Sequence, residues 1–189
     1  KKVHNLVENI YRENTVKKNK NKIAFIGLRG AGKSTLGNML YKEFNTPVFE
    51  VSNEIEILGG MNINEIIELG GQGMYRRFEY DIVSSFHKNH DNLILLTGGS
   101  IVSEKETYNY LLNNYFTVWI KASPMEHMSR VLMQGDSRPM NSNPRAMEDL
   151  NNILNERVSL YSKADLIIDT ENSSIKESYS KLKLKLFKT

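Results

Sequence analysis

A parallel β-sheet covered by helices on both faces is the fold class that the sequence predicts. Three observations point to it. Short apolar runs with strand character alternate with stretches of helical periodicity, and no internal repeat breaks the alternation. A glycine-rich loop, Gly27-Leu28-Arg29-Gly30-Ala31-Gly32-Lys33-Ser34, joins the first strand to the first helix and matches G-x-x-x-x-G-K-[ST] in full. The 189 residues, 40% hydrophobic and 25% charged, suffice for one domain with a real core.

The elements follow in order. Val3, Leu6, Val7 and Ile10 fall at helical spacing, so the first dozen residues read as a short helix. The dense basic run from Lys17 to Lys22 then reads as a connector, and the chain begins without an initiator Met. Residues 1–21 are assigned to a linker or N-terminal extension, and residues 22–189 to the domain itself. Lys22-Ile23-Ala24-Phe25-Ile26 is the first strand, and residues 33–44 form its helix. Pro47-Val48-Phe49-Glu50-Val51 is a second strand, followed by a short helix over 53–58 with Ser52 as its cap. Asn62 and Glu65 make a capping box for the next helix. Gly70-Gly71 breaks it, and residues 72–87 form a longer one.

Leu93-Ile94-Leu95-Leu96 is a buried strand ending in Thr97-Gly98-Gly99. Ser103 and Glu106 suggest a second capping box, opening a helix to about 113. Phe116-Thr117-Val118-Trp119-Ile120 is a strand, and Ser123-Pro124-Met125-Glu126 is a strong helix start. Residues 135–144 lack periodicity, contain two prolines and read as a mobile loop. Residues 145–162 are helical, 164–169 are the last strand, and Ser174 to Glu177 caps a final helix. The alternation from Lys181 to Leu186 fits an edge strand, but Ile175, Tyr179, Leu182 and Leu186 form a helical stripe, and helix is preferred.

Composition excludes several classes. There is no cysteine, so neither a disulfide framework nor a thiolate metal site can form. The net charge of +3 is too small to argue for nucleic acid by itself. No apolar run approaches a membrane span and no secretory segment stands out, so no membrane contact is expected and a cytoplasmic location is the default.

The chemistry starts at the glycine loop. A strand, a tight loop and a helix start form a nest of backbone N–H groups at the positive end of a helix dipole. Such a nest holds phosphate, with Lys33 reaching the β and γ groups and Ser34 on Mg²⁺. In open α/β sheets ligands sit beyond the carboxyl ends of the strands. The ends at Glu50-Val51-Ser52, Thr97-Gly98-Gly99-Ser100 and Asp169-Thr170 are therefore further candidates. Arg76, Arg138 and Arg157 are candidates for gripping carboxylate or phosphate, whereas Arg77 and Arg145 read as surface. His127 reads as structural or surface, and Met125, Met128 and Met133 as core filling. Glu65, Glu68 and Glu79 read as solvated faces, with no metal claimed.

From about residue 23 to residue 169 the chain resembles the shikimate kinase family. The likeness is carried by the glycine loop, Glu54-Ile55-Glu56, Tyr75-Arg76, Thr97-Gly98-Gly99, Val118-Trp119-Ile120, Arg138-Pro139, and Arg157 with Leu160-Tyr161 and Ala164-Asp165. It implies the three-layer sandwich of P-loop NTPases, with a five-stranded parallel sheet and a mobile lid over ATP. It implies nucleotide contacts from Gly27, Arg29, Gly30, Ala31, Gly32, Lys33, Ser34, Thr35, Arg130 and Arg138. Mg²⁺ would sit on Ser34 and Glu50. Ser52, Arg76, Gly98, Gly99, Ser100 and Arg157 would hold an acid substrate or effector.

The family pattern at the second strand end is Asp-x-Asp, and here it is Glu50-Val51-Ser52. The second acid is the one placed to take the reacting proton, and Ser52 cannot do so near pH 7. The third glycine of the Gly-Gly-Gly motif is Ser100. A closer resemblance covers the glycine loop, residues 126–131, residues 134–140 and residues 146–150. It is to the kinase-like domain of benzoyl-CoA-responsive transcriptional regulators, which carry an N-terminal helix-turn-helix domain. That resemblance implies a sensor of an aryl-CoA, with a CoA-type nucleotide ligand in place of ATP. DNA would be met only through a domain preceding this one, and a homodimer is left open. The alternative is a working shikimate kinase whose catalytic residues are Lys33, Arg138 and a relocated base, Glu50. A third option is a kinase for another polyol or acid.

Overall fold

A computed structural model describes residues 18, 20–133 and 145–187. Five strands form one parallel sheet: β1 (Lys22–Ile26), β2 (Val48–Glu50), β3 (Leu93–Leu96), β4 (Phe116–Lys121) and β5 (Leu166–Asp169). Their order is β2-β3-β1-β4-β5, so β1 is central. The helices are α1 (Lys33–Phe44), α2 (Val51–Gly59), α3 (Ile63–Asn89), α4 (Lys105–Asn114), α5 (Pro124–Met133), α6 (Ala146–Tyr161) and α7 (Ile175–Phe187).

Why the strands bury both faces is visible in β1. Ala24 and Ile26 join one apolar cluster with Val51, Ile55, Leu95 and Trp119. Ile23 and Phe25 join the other with Leu36, Leu40, Val118, Tyr179 and Leu182. Neighbours in the strand face opposite ways, so a continuous apolar run supplies two cores. α1 and α7 cover the second face; α2, α3, α4 and α6 cover the first.

Most predicted elements stand, and the exceptions have local causes. The final segment is helix, its start held by Ser174 Oγ and Glu177 in reciprocal hydrogen bonds. Asn62 and Glu65 form the predicted capping box. Gly71 (φ 68°, ψ 178°) interrupts α3 as a non-helical residue. Ser52 is not a cap: α2 starts at Val51 with Glu50 at the N-cap, which puts Ser52 inside the first turn. Ser103 is not a cap either, because Ile101–Ser103 is a 3₁₀ turn and α4 starts at Lys105. Met128 is buried, but Met125 and Met133 are exposed at 69% and 83% and fill no core. The predicted N-terminal helix, the loop over 135–144 and Arg138 lie outside the described residues. No helix among the described residues is long and apolar enough to cross a membrane.

The basic connector contributes contacts where it is described. Lys18 Nζ pairs with Asp165 at 2.7 Å, Lys20 Nζ donates to the Leu186 carbonyl, and Lys22 Nζ donates to the His87 carbonyl.

Gly27 is where the sheet meets the glycine loop. Its φ is +137°, and a Cβ there would lie 2.4 Å from the Ile120 carbonyl oxygen of β4. That oxygen belongs to a strand paired on both sides and cannot retreat. Gly27→Ala should cost about 3 kcal/mol, combining backbone strain and overpacking, and lower Tm by roughly 10 °C. Gly73→Ala is the control, since α3 leaves open space there; its Tm should hold or rise. Thermal melts of the two variants check the pair, and equal Tm values would refute the steric account.

Candidate functional site

All strands are parallel, so their carboxyl ends share one edge of the sheet. A cleft of about 460 Å³ opens there. It is lined by Arg29, Gly30, Gly32, Lys33, Ser34, Thr35, Glu50, Ser52, Thr97, Gly98 and Gly99. The loop after β1 thus meets the ends of β2 and β3 in one space.

The floor of the cleft is built for an anion. Gly32 is the N-cap of α1, in the left-handed region at φ 100°, and no side chain caps that end. A Cβ on Gly32 would meet nothing within 4 Å. The first-turn N–H groups of α1 therefore keep a clear approach, and the first turn holds no acid to compete. Lys33 Nζ donates to the carbonyls of Gly27 (2.8 Å) and Leu28 (3.0 Å), which folds its ammonium back into the loop. Burial pushes the pKa of this ammonium down to about 8, and the nearby Glu50 carboxylate partly opposes the shift.

Two ties fix the cleft walls. Thr97 donates to the Phe25 carbonyl from both its N–H (3.1 Å) and its hydroxyl (3.0 Å), locking the end of β3 to β1. The Gly99 carbonyl accepts from the Tyr161 hydroxyl (2.6 Å) and from Arg157 Nη1 (3.3 Å). Tyr161 in turn stacks on Trp119, with ring centroids 5.3 Å apart. A Cβ on Gly99 would press on Leu28 at 3.0 Å, so the two glycine turns are in direct contact.

Arg76, Ser100 and Arg157 cluster around the Gly98-Gly99-Ser100 turn instead of lining the cleft. The Arg76 guanidinium is held on three nitrogens: Nη1 on Glu79 (2.8 Å), Nη2 on Ser100 Oγ (3.0 Å) and Nε on Glu104 (3.2 Å). Glu79 is fully buried; its Oε1 has no hydrogen-bond partner among the described residues. That oxygen and the Tyr75 hydroxyl both approach Gly98, at 3.9 and 3.8 Å from where its Cβ would be. Burial raises the pKa of the Glu79 carboxyl, and Arg76 pulls it back. Glu79 is therefore no solvated face. Its i,i+3 spacing from Arg76 was a signal available in the sequence; Glu104 carried none.

Arg130 bridges the glycine loop and the turn after β5. Its Nη1 reaches Thr170 Oγ1 (3.2 Å) and the carbonyls of Ala31 (3.4 Å) and Gly30 (3.5 Å). A second recess of about 280 Å³ lies there, reaching Met133 and Ile175. His127 is buried with Nδ1 3.0 Å from the Arg29 carbonyl, and burial lowers its pKa, so it props the loop as a neutral ring. Among the described residues no three His, Asp or Glu side chains gather to hold a metal unaided. Ser34 and Glu50 on one cleft suit Mg²⁺, which takes few protein ligands and completes its shell with phosphate and water.

Comparison with known proteins identifies the family. The shikimate kinase family model matches residues 29–186. The shikimate kinase of Buchnera aphidicola subsp. Schizaphis graminum is 32% identical over 158 residues, covering 83% of this chain and 91% of the relative. That of Aquifex aeolicus is 29% identical over 150 residues, covering 79% and 87%. Among solved structures, shikimate kinase from Acinetobacter baumannii in complex with shikimate superposes with a TM-score of 0.74 at 24% identity, over 87% of this chain and 92% of the other. These kinase matches span nearly whole proteins and overturn the expected reading as an aryl-CoA sensor of a transcriptional regulator. Nothing in these matches supports the CoA-type ligand or the indirect link to DNA.

Proposed function

The chain belongs to the shikimate kinase family, and on that premise we propose that it transfers the γ-phosphate of ATP to the 3-hydroxyl of shikimate. The observation that carries the reading is the single cleft in which the anion-binding loop, Glu50 and the Gly98-Gly99 turn face one another. The loop N–H groups and Lys33 hold the β and γ phosphates. Ser34 and Glu50 would hold Mg²⁺, which would supply neutralisation of phosphate charge. Arg130 and the turn after β5 accommodate the nucleoside side.

The acceptor enters from the Gly98-Gly99 side, its carboxylate toward Arg76 and Arg157. Its hydroxyl oxygen forms the new bond to the γ phosphorus as the bond to the β–γ bridging oxygen breaks. ADP leaves, and the hydroxyl proton goes to Glu50. Residue 52 cannot take that proton, and Glu50 is the carboxylate lining the cleft. Catalysis in this reaction class is mainly positioning and electrostatic stabilisation, so a shared carboxylate lowers the rate without abolishing it.

A coupled ADP-release assay tests the reading. Expected is shikimate-dependent ADP release, matched by formation of shikimate 3-phosphate. ATP hydrolysis indifferent to shikimate, or none, would overturn it.

A further inference from the structure

We propose that Glu104 sets how strongly the acceptor site takes a carboxylate, by competing with that carboxylate for Arg76. The proposal rests on the reading above, in which Arg76 contacts an acidic substrate.

A guanidinium has five N–H donors. In Arg76 three nitrogens are already committed, to Glu79, Ser100 and Glu104. Glu79 lies beneath it, fully buried, one helical turn along α3. Glu104 comes from a separate element, the junction between the 3₁₀ turn and α4, and is 38% exposed. It occupies the N-cap position of α4, yet its side chain makes no cap hydrogen bond. Its carboxylate turns to Arg76 instead.

The consequence is electrostatic. Arg76 and Arg157 are cations that each donate to the Gly98-Gly99-Ser100 turn. Glu79 and Glu104 are two carboxylates against one of them. The patch facing an incoming acid is therefore close to neutral, where two unopposed arginines would make it strongly positive. An anionic acceptor has to share Arg76 with Glu104 or push it toward solvent, and Glu104 is exposed enough to move. A neutral acceptor meets no such competition. Glu104 thereby acts as a specificity-determining residue.

Titration calorimetry on the whole chain separates this from a purely structural role. The variants are Glu104→Gln and Glu104→Ala, and the ligands are shikimate and its uncharged methyl ester. Gln keeps an oxygen for Arg76 Nε and removes only the charge. Expected for Glu104→Gln is a shikimate Kd lowered roughly two- to five-fold, the size of a part-exposed ion pair, with the ester Kd unmoved. In the kinase assay the gain appears in KM, and kcat changes less. If Glu104 only orients Arg76, Glu104→Gln is silent and Glu104→Ala weakens shikimate, which overturns the proposal.

The two readings fail separately. Turnover with a KM indifferent to Glu104→Gln removes the competition and leaves the kinase. Tighter shikimate binding in Glu104→Gln with no turnover removes the kinase and leaves the competition. No shikimate binding in any variant removes both.

Discussion

Lys33→Ala should lower kcat/KM for ATP by at least about 10²-fold, the cost of removing one preorganised donor from developing charge. Its Tm should stay within about 5 °C of the parent. The asymmetry follows from where the ammonium sits. In the free protein it is spent on the Gly27 and Leu28 carbonyls, and burial has already brought its pKa down to about 8. Removing a cation held at that cost destabilises the fold little. Removing the charge a triphosphate meets destabilises the complex greatly.

The same lysine gives a pH dependence of fixed sign. Bound phosphates favour the ammonium, so its pKa in the complex lies above its free value of about 8. Below that pH both states are protonated and affinity is at its plateau. Above it, the free protein must take up a proton to bind, and ATP affinity falls, by at most about tenfold per pH unit. Calorimetry above the free pKa, near pH ~8.5, in buffers of different ionisation heat should read net proton uptake, and Lys33→Ala should abolish it. Binding without uptake in the parent would place the titration elsewhere.

The sequence made some of this site legible and hid the rest for physical reasons. The glycine loop, its strand and its helix form one contiguous segment, so their chemistry is local and could be read directly. So could the capping box at Asn62 and the two-faced strands. The start of α4 departs from the sequence reading for a local reason. A serine just before an apolar-periodic run caps a helix only when no other contact claims that turn. At Ser103 the chain turns as 3₁₀ first, and the next acid, Glu104, goes to Arg76 instead. Contacts such as Tyr161 to Gly99, 62 residues apart, have no local signature. The inward burial of Glu79 depends on how α3 lies against the sheet, which spacing alone does not fix. The expectation of a sensor rests on Ser52, where a missing carboxylate reads as a missing reaction. The fold supplies Glu50 on the same cleft.

Ser52→Asp should therefore raise kcat/KM for shikimate by about tenfold to a hundredfold. That lies at and below the lower end of the range of a positioned general base, because on the proposed mechanism Glu50 covers part of the role. Ser52 stands in the first turn of α2, two residues after the N-cap. A carboxylate there is favoured by the helix dipole, worth about 0.3–1 kcal/mol, so the substitution should preserve or raise Tm. The gain arises from dividing labour. On the proposed mechanism, one carboxylate of the parent faces both the metal and the acceptor proton. With a second carboxylate supplied at position 52, Glu50 is left to the metal alone. A Glu50→Gln background sharpens the test. Glu50→Gln should lose most of the parent activity, and Glu50→Gln with Ser52→Asp should recover more of it than either effect taken separately predicts. Initial rates with shikimate across the four proteins measure this directly. If Ser52→Asp brings no gain while Glu50→Gln is fully active, the proton leaves by another route and Glu50 loses its place in the reaction.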